Sequence, residues 1–377
     1  MRYIYILFVA CILSACNITD NPGTSDNYDR TILLANMADG IIIPKHNMFQ
    51  SQLNELKLAV DSFSVSTTMN NFNNLRQSWE SAYKSWQHIE MFNMGKAEEI
   101  EYVKSMNTYP TNSTVIDQNI VSGNYNLDDL TWPSWSSQGF PALDYMLYGL
   151  DNDSTLILDK YNGLDGLNYL NYLNALVLQM DSMTAEVKNF WTNSRNEFVN
   201  SPENTSTSSL NVLTNDFIYF FEKGLRANKI GIPCGRWDNY QIYPRGVEGY
   251  FRKNLSKDLA LEALEASINF FSGYNNNTNQ IGESYADYIL YKMGNDNLSN
   301  EIKSQMQESK TAINNLDDNF VKQMEENNLQ MLAAYDELQK VVVLMKTDLL
   351  INLSIVCLLY TSPSPRDRTR SRMPSSA

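Results

Sequence analysis

Three segments carry side chains whose types and spacing could do chemistry. The first is Gln138-Gly139-Phe140-Pro141-Ala142-Leu143-Asp144-Tyr145-Met146-Leu147-Tyr148-Gly149. Pro141 suits a first helical turn and Gly149 a C-terminal cap. Asp144 then sits one turn into an otherwise apolar helix. It is either an acid compensating the helix dipole or a carboxylate facing a cleft. The second runs Gly231-Ile232-Pro233-Cys234-Gly235-Arg236-Trp237, then Tyr243-Pro244-Arg245-Gly246-Val247-Glu248-Gly249-Tyr250. Gly and Pro this dense among aromatics imply a defined loop. The third is Tyr109-Pro110-Thr111-Asn112, leading to Asp117. Asp144, Glu248 and Asp287 could together form an all-oxygen site for a hard cation. Histidine chemistry has little to work with. His46 and His88 are the only two in the chain, and no His-Glu-x-x-His pattern occurs.

Helices must position these residues. Phe49, Leu53, Leu56, Val60 and Phe63 recur at steps of three and four behind Pro44. Phe72, Leu75, Trp79, Tyr83, Trp86 and Ile89 repeat the pattern, as do Leu170, Leu173, Val177, Met180, Val187 and Trp191. Leu261, Leu264, Ile268 and Phe271 form a fourth stripe, and residues 298–350 read as two more helices. No sustained alternation of period two appears, and Gly plus Pro total only 27 of 377 residues. The expected fold is all-α, with two helical bundles at 28–155 and 156–355. Leu143-Asp144-Tyr145-Met146-Leu147-Tyr148 is echoed by Ala286-Asp287-Tyr288-Ile289-Leu290-Tyr291, which raises the idea of two related halves.

The ends read differently. Residues 1–16 have Arg2, a short apolar run and Leu13-Ser14-Ala15-Cys16, a lipobox in which Cys16 would be lipidated. The apolar run is too short to span a bilayer. Residues 17–27 read as a tether, and Asn17 favours the outer membrane over inner-membrane retention. The stretch 356–377 is abruptly rich in Arg, Pro and Ser and reads as foreign to the protein, like translated sequencing adapter. Within 341–360, Lys346 and Asp348 argue for a buried final helix rather than a membrane span. Of the four cysteines, Cys234 is the one expected as a thiol of the folded part, so no intramolecular disulfide is expected. A net charge of −14 argues against nucleic-acid partners.

Together the Ile43-Pro44 helix start, the Trp79–Phe92 helix, the Tyr109-Pro110 turn, the Gly139–Gly149 helix and the Gly231–Glu248 loop resemble the imelysin family of bacterial lipoproteins and cell-surface proteins. Leu344-Met345-Lys346-Thr347-Asp348 is similar to that family's last helix. The resemblance implies a two-domain, all-α fold with a functional cleft where the domains meet. It implies binding of a ligand, divalent metal or iron, with envelope iron- or haem-uptake proteins as partners. It also carries the older idea of a metallopeptidase. The implied ligand contacts are Gly139, Pro141, Asp144, Tyr145, Gly231, Pro233, Gly235, Arg236, Pro244 and Glu248, with Asp144 and Glu248 as metal ligands. The family signature Gly-x-His-x-x-Glu meets Gly139, Pro141 and Asp144 here. Pro141 replaces the imidazole, and proline offers no side-chain ligand. The expectation is therefore a non-enzymatic envelope lipoprotein that binds at the cleft. A metallopeptidase and a purely structural or protein-interaction lipoprotein stand as alternatives.

Overall fold

A computed structural model describes residues 26–358. The lipobox with Cys16, most of the tether, and the tail from 359 onward lie outside the described residues. The fold is all-α, as expected. Helix α1 (Ile43–Val65) has Pro44 in its first turn, where a missing N–H costs nothing. It buries Phe49, Leu53, Leu56, Val60 and Phe63, the predicted stripe. Helix α2 (Met69–Trp86) is capped by Thr68, whose side chain accepts from the Asn71 amide. Helix α3 (Tyr102–Asn107) is short. Helix α4 (Gly139–Asp144) runs on as a wider π-helical turn, Tyr145–Gly149. Helix α5 (Gly166–Val199) spans 34 residues. Helix α6 (Ser209–Tyr219) continues as a π-helical stretch, Phe220–Gly231. Helices α7 (Ser256–Ser272), α8 (Asn297–Asn314) and α9 (Phe320–Val343) complete the main set. The strands among the described residues form one small antiparallel hairpin, pairing Tyr274 with Ile281 and Asn275 with Gln280.

Helix α1 packs against both α2 and α5, and α9 packs against α8 and the 220–231 stretch. Helix α7 touches α8 and also α2, linking the two groups. Helix α5, which the sequence reading places in the second bundle, thus lies on elements of the first. Buried apolar side chains from Leu33 to Ile355 form one continuous cluster, with Trp79, Trp86 and Trp191 among its largest members. No described helix is long and apolar enough to cross a membrane. Cys234 is a buried free thiol, as expected.

Candidate functional site

Two of the three predicted segments meet the third. Pro141 and Asp144 from α4 face Tyr109, Pro110 and Thr111 on one side and the Arg245–Phe251 loop on the other. The gap between them is only about 10 Å³, roughly the space of one water. Asp144 is 2% exposed and already engaged. Its two oxygens accept from the backbone amides of Phe251 at 2.9 Å and Arg252 at 2.8 Å. Those bonds favour the ionised form, but burial outweighs them and pushes the carboxyl up to about 7. Asp144 therefore fastens the 247–255 loop onto α4. The neighbouring Tyr145 hydroxyl donates to Asp117 at 2.9 Å, and its ring lies 5.1 Å from Phe251.

Gly139 is needed for close approach. Its φ is +70°, and a Cβ there would sit 2.2 Å from the Met106 carbonyl oxygen. Gly139→Ala is expected to destabilise the fold by about 2 kcal/mol or more, read from the denaturant midpoint. A change within about 0.5 kcal/mol would refute that packing.

The Gly231–Arg236 segment does not join this gap. Gly231 is buried under Trp237 and Tyr335, and Gly235 makes a tight turn at φ +73° against the Gln241 carbonyl. Pro233 is buried beside Cys234, and its carbonyl accepts from the Tyr243 amide at 2.7 Å. Arg236 pairs with Asp336 at 3.3 Å over the Tyr335 ring. These residues anchor a loop to α9. Pro244 opens a single 3-10 turn that carries Arg245 to the gap.

The expected carboxylate cluster is not assembled. Asp287 caps its own helix, accepting from the Ser284 amide and hydroxyl. Glu248 is committed to a buried network described below. Among the described residues no three His, Cys, Asp or Glu side chains gather to hold a metal. The residues at the motif therefore do not fit a metal: Pro141 has no ligand atom, and both Asp144 oxygens hold backbone amides. His46 is a core side chain bonded to the Ile42 carbonyl at 2.8 Å, with burial pushing it down to about 4. His88 pairs with Glu262 at 2.9 Å.

The polar chemistry of this region lies deeper. Glu248, 2% exposed, accepts from Lys229 at 2.6 Å, Asn107 at 2.8 Å and Gln87 at 3.1 Å. The Tyr83 hydroxyl donates to the Asn107 side-chain oxygen at 2.7 Å. Glu90, 8% exposed, is less well served, with Lys229 at 3.6 Å and the Asn107 amide at 3.5 Å. Burial, with Glu248 adding to it, holds the Glu90 carboxyl above its ordinary range despite Lys229. One lysine thus serves two buried glutamates.

Glu90 and Asn107 also line a cavity of about 290 Å³. Its other walls come from Met91, Asn93, Tyr109 and Trp132 and from Asp216, Tyr219, Phe220, Lys223 and Asn228 on the α6–π stretch. The π-helical turns, which often occur at functional sites, supply one whole side. The volume lies at the lower end of the range for small-molecule pockets. Apart from Tyr109, sequence reasoning missed these residues as a site. The signals are charges inside apolar runs: Glu90 between Ile89 and Met91-Phe92, and Lys229 beside Ile230.

The imelysin family model, which carries the peptidase name M75, matches residues 42–345. No curated protein matches the chain closely enough to count as a relative. An imelysin-like protein from Psychrobacter arcticus has a similar structure, with a TM-score of 0.69 at 15% identity, over 88% of this chain and 98% of that one. A protein from Parabacteroides distasonis described as an iron-regulated protein A precursor matches with a TM-score of 0.68 at 16% identity, over 89% and 97%. At such identities the likeness shows the fold alone.

Proposed function

Because the chain belongs to the imelysin family, we propose that it is a non-catalytic binding protein of the cell envelope that holds a small ligand in the cavity beside Glu90. The observation that carries this reading is the cavity of about 290 Å³ walled by residues 90–132 and 216–228. The motif region at Pro141 and Asp144 is nearly filled and serves as a fastening. Peptidase chemistry would need a bound metal with an activated water and a general base, and the residues at the motif do not provide that set. The lipobox supports anchoring through Cys16, on the outer membrane. Family membership, rather than any one structural neighbour, is the ground for adding a role in iron or haem supply alongside uptake partners in the envelope.

Asn228 lies exposed on the cavity wall, so a large side chain can block the space without disturbing the core. Protein purified from its native envelope is denatured, and released small molecules are identified by mass spectrometry. A stoichiometric small molecule is expected from the wild type and absent from Asn228→Trp. The same molecule retained at full occupancy in Asn228→Trp would sink the cavity assignment.

A further inference from the structure

The charges around the cavity bear on the chemistry of what it binds. Lys229 is nearly fully buried, and its ammonium is 2.6 Å from Glu248 but 3.6 Å from Glu90. Glu248 has three good donors; Glu90 has two long contacts. A carboxylate buried with so little compensation is costly unless another positive group reaches it. Of the two carboxylates in the network, Glu90 is the one that lines the cavity. Nearby, the Asn93 side-chain oxygen is buried without a hydrogen-bond partner and lines the same space. Both groups are acceptors. Three acids line the cavity (Glu90, Glu101 and Asp216) against two lysines, Lys104 and Lys223. Lys104 is paired with Glu101 at 2.6 Å and sits over the Trp135 ring, and Lys223 is exposed at the rim. Tyr109, Trp132, Tyr219 and Phe220 add aromatic surface, which suits organic cations through their π-faces. A bare metal ion is a poorer fit, since no three ligating side chains gather among the described residues.

We infer that the cavity takes a small organic cation, an amine or guanidinium on an apolar or aromatic body, with its charged group placed on Glu90. This rests on the cavity being the binding site, as proposed above.

The test uses two probes of similar shape and opposite charge, tryptamine and indole-3-propionate, titrated calorimetrically into the purified protein. Tryptamine is expected to bind at least about tenfold more tightly than indole-3-propionate. Glu90→Gln, which keeps the shape and removes the charge, is expected to weaken tryptamine by about tenfold or more. Its thermal midpoint should equal or exceed that of the wild type, because an undercompensated buried charge is gone; that readout also shows that the variant folds. Asn228→Trp should abolish tryptamine binding. If indole-3-propionate binds as well as tryptamine, or Glu90→Gln leaves tryptamine binding unchanged while Asn228→Trp abolishes it, the cation is wrong and the cavity stands. If Asn228→Trp leaves binding of both probes intact, the cavity reading itself falls. If tryptamine does not bind the wild type, the inference is overturned.

Discussion

Replacing Lys229 with methionine is expected to destabilise the protein by about 3–5 kcal/mol, the cost of leaving buried charge without its partner. The side chain is 1% exposed and is the cation that Glu248 and Glu90 share. Methionine fills much of the same volume, so lost packing contributes little. What remains is two neighbouring buried carboxylates. Gln87 and Asn107 can solvate Glu248 but cannot neutralise it. Lys229 is the group that opposes the burial of Glu90, so without it Glu90 should hold its proton still further above the ordinary carboxylate range. An acid that is more protonated folded than unfolded lowers stability as pH rises. Urea midpoints for Lys229→Met should accordingly improve between pH 7 and pH 5, whereas the wild type gains less. Adding Glu90→Gln and Glu248→Gln to Lys229→Met should recover a large part of the loss, as coupled neighbours do in mutant cycles. A Lys229→Met protein within about 1 kcal/mol of wild type would show that the network is open to water.

The second large effect is at Asp144. Asp144→Ala removes the acceptor of two backbone amides and opens a void under the 247–255 loop. The expected loss is about 2–4 kcal/mol. Because Phe251, Val247 and Gly249 line the gap beside Asp144, the loop should also become more open to protease. The pH dependence has a definite sign. Burial, opposed by the two amide bonds, raises this carboxyl from 3.8 to about 7. The folded state then keeps a proton that the unfolded chain releases, so this group's contribution falls as pH rises from about 4 to about 7 and is fully present below that window. Asp144→Asn cannot titrate and should lack this slope. Denaturant titrations of both proteins at pH 4.5 and 7.5 measure the difference. Parallel pH profiles would mean that the amide bonds, not burial, set the state of Asp144.

The helices were legible in the sequence because their apolar residues repeat at the helical period; α1 buries the expected stripe, and α2 buries its own as far as Trp86, where it ends, so Ile89 and the rest of the expected Trp79–Phe92 helix fall in the turns beyond it. Helix α5 was legible as a helix but not in its placement, since an apolar stripe does not say which neighbour it meets. Segments 109–111, 141–144 and 245–251 stood out in the sequence one by one, and only the fold shows that they line one gap. The role of Asp144 did not follow. Its partners are backbone amides more than a hundred residues away, and an amide N–H carries no trace of residue type. The echo between 143–148 and 286–291 misled in the same way. The types match, yet Asp144 fastens a distant loop while Asp287 caps the helix it begins. Glu90 and Lys229 were hidden because each looks like an isolated charge until the fold places them 3.6 Å apart.

Binding is assigned to the cavity beside Glu90 and not to the motif that contains Pro141 and Asp144. A crystal structure of the protein grown with tryptamine tests it most directly. Ordered density is expected within the space walled by Asn93, Tyr109, Phe220 and Asn228, with the ammonium nitrogen about 3 Å from a Glu90 oxygen. Density for the probe between Pro141, Asp144 and Arg245, with the Glu90 cavity empty of it, would place binding at the motif instead.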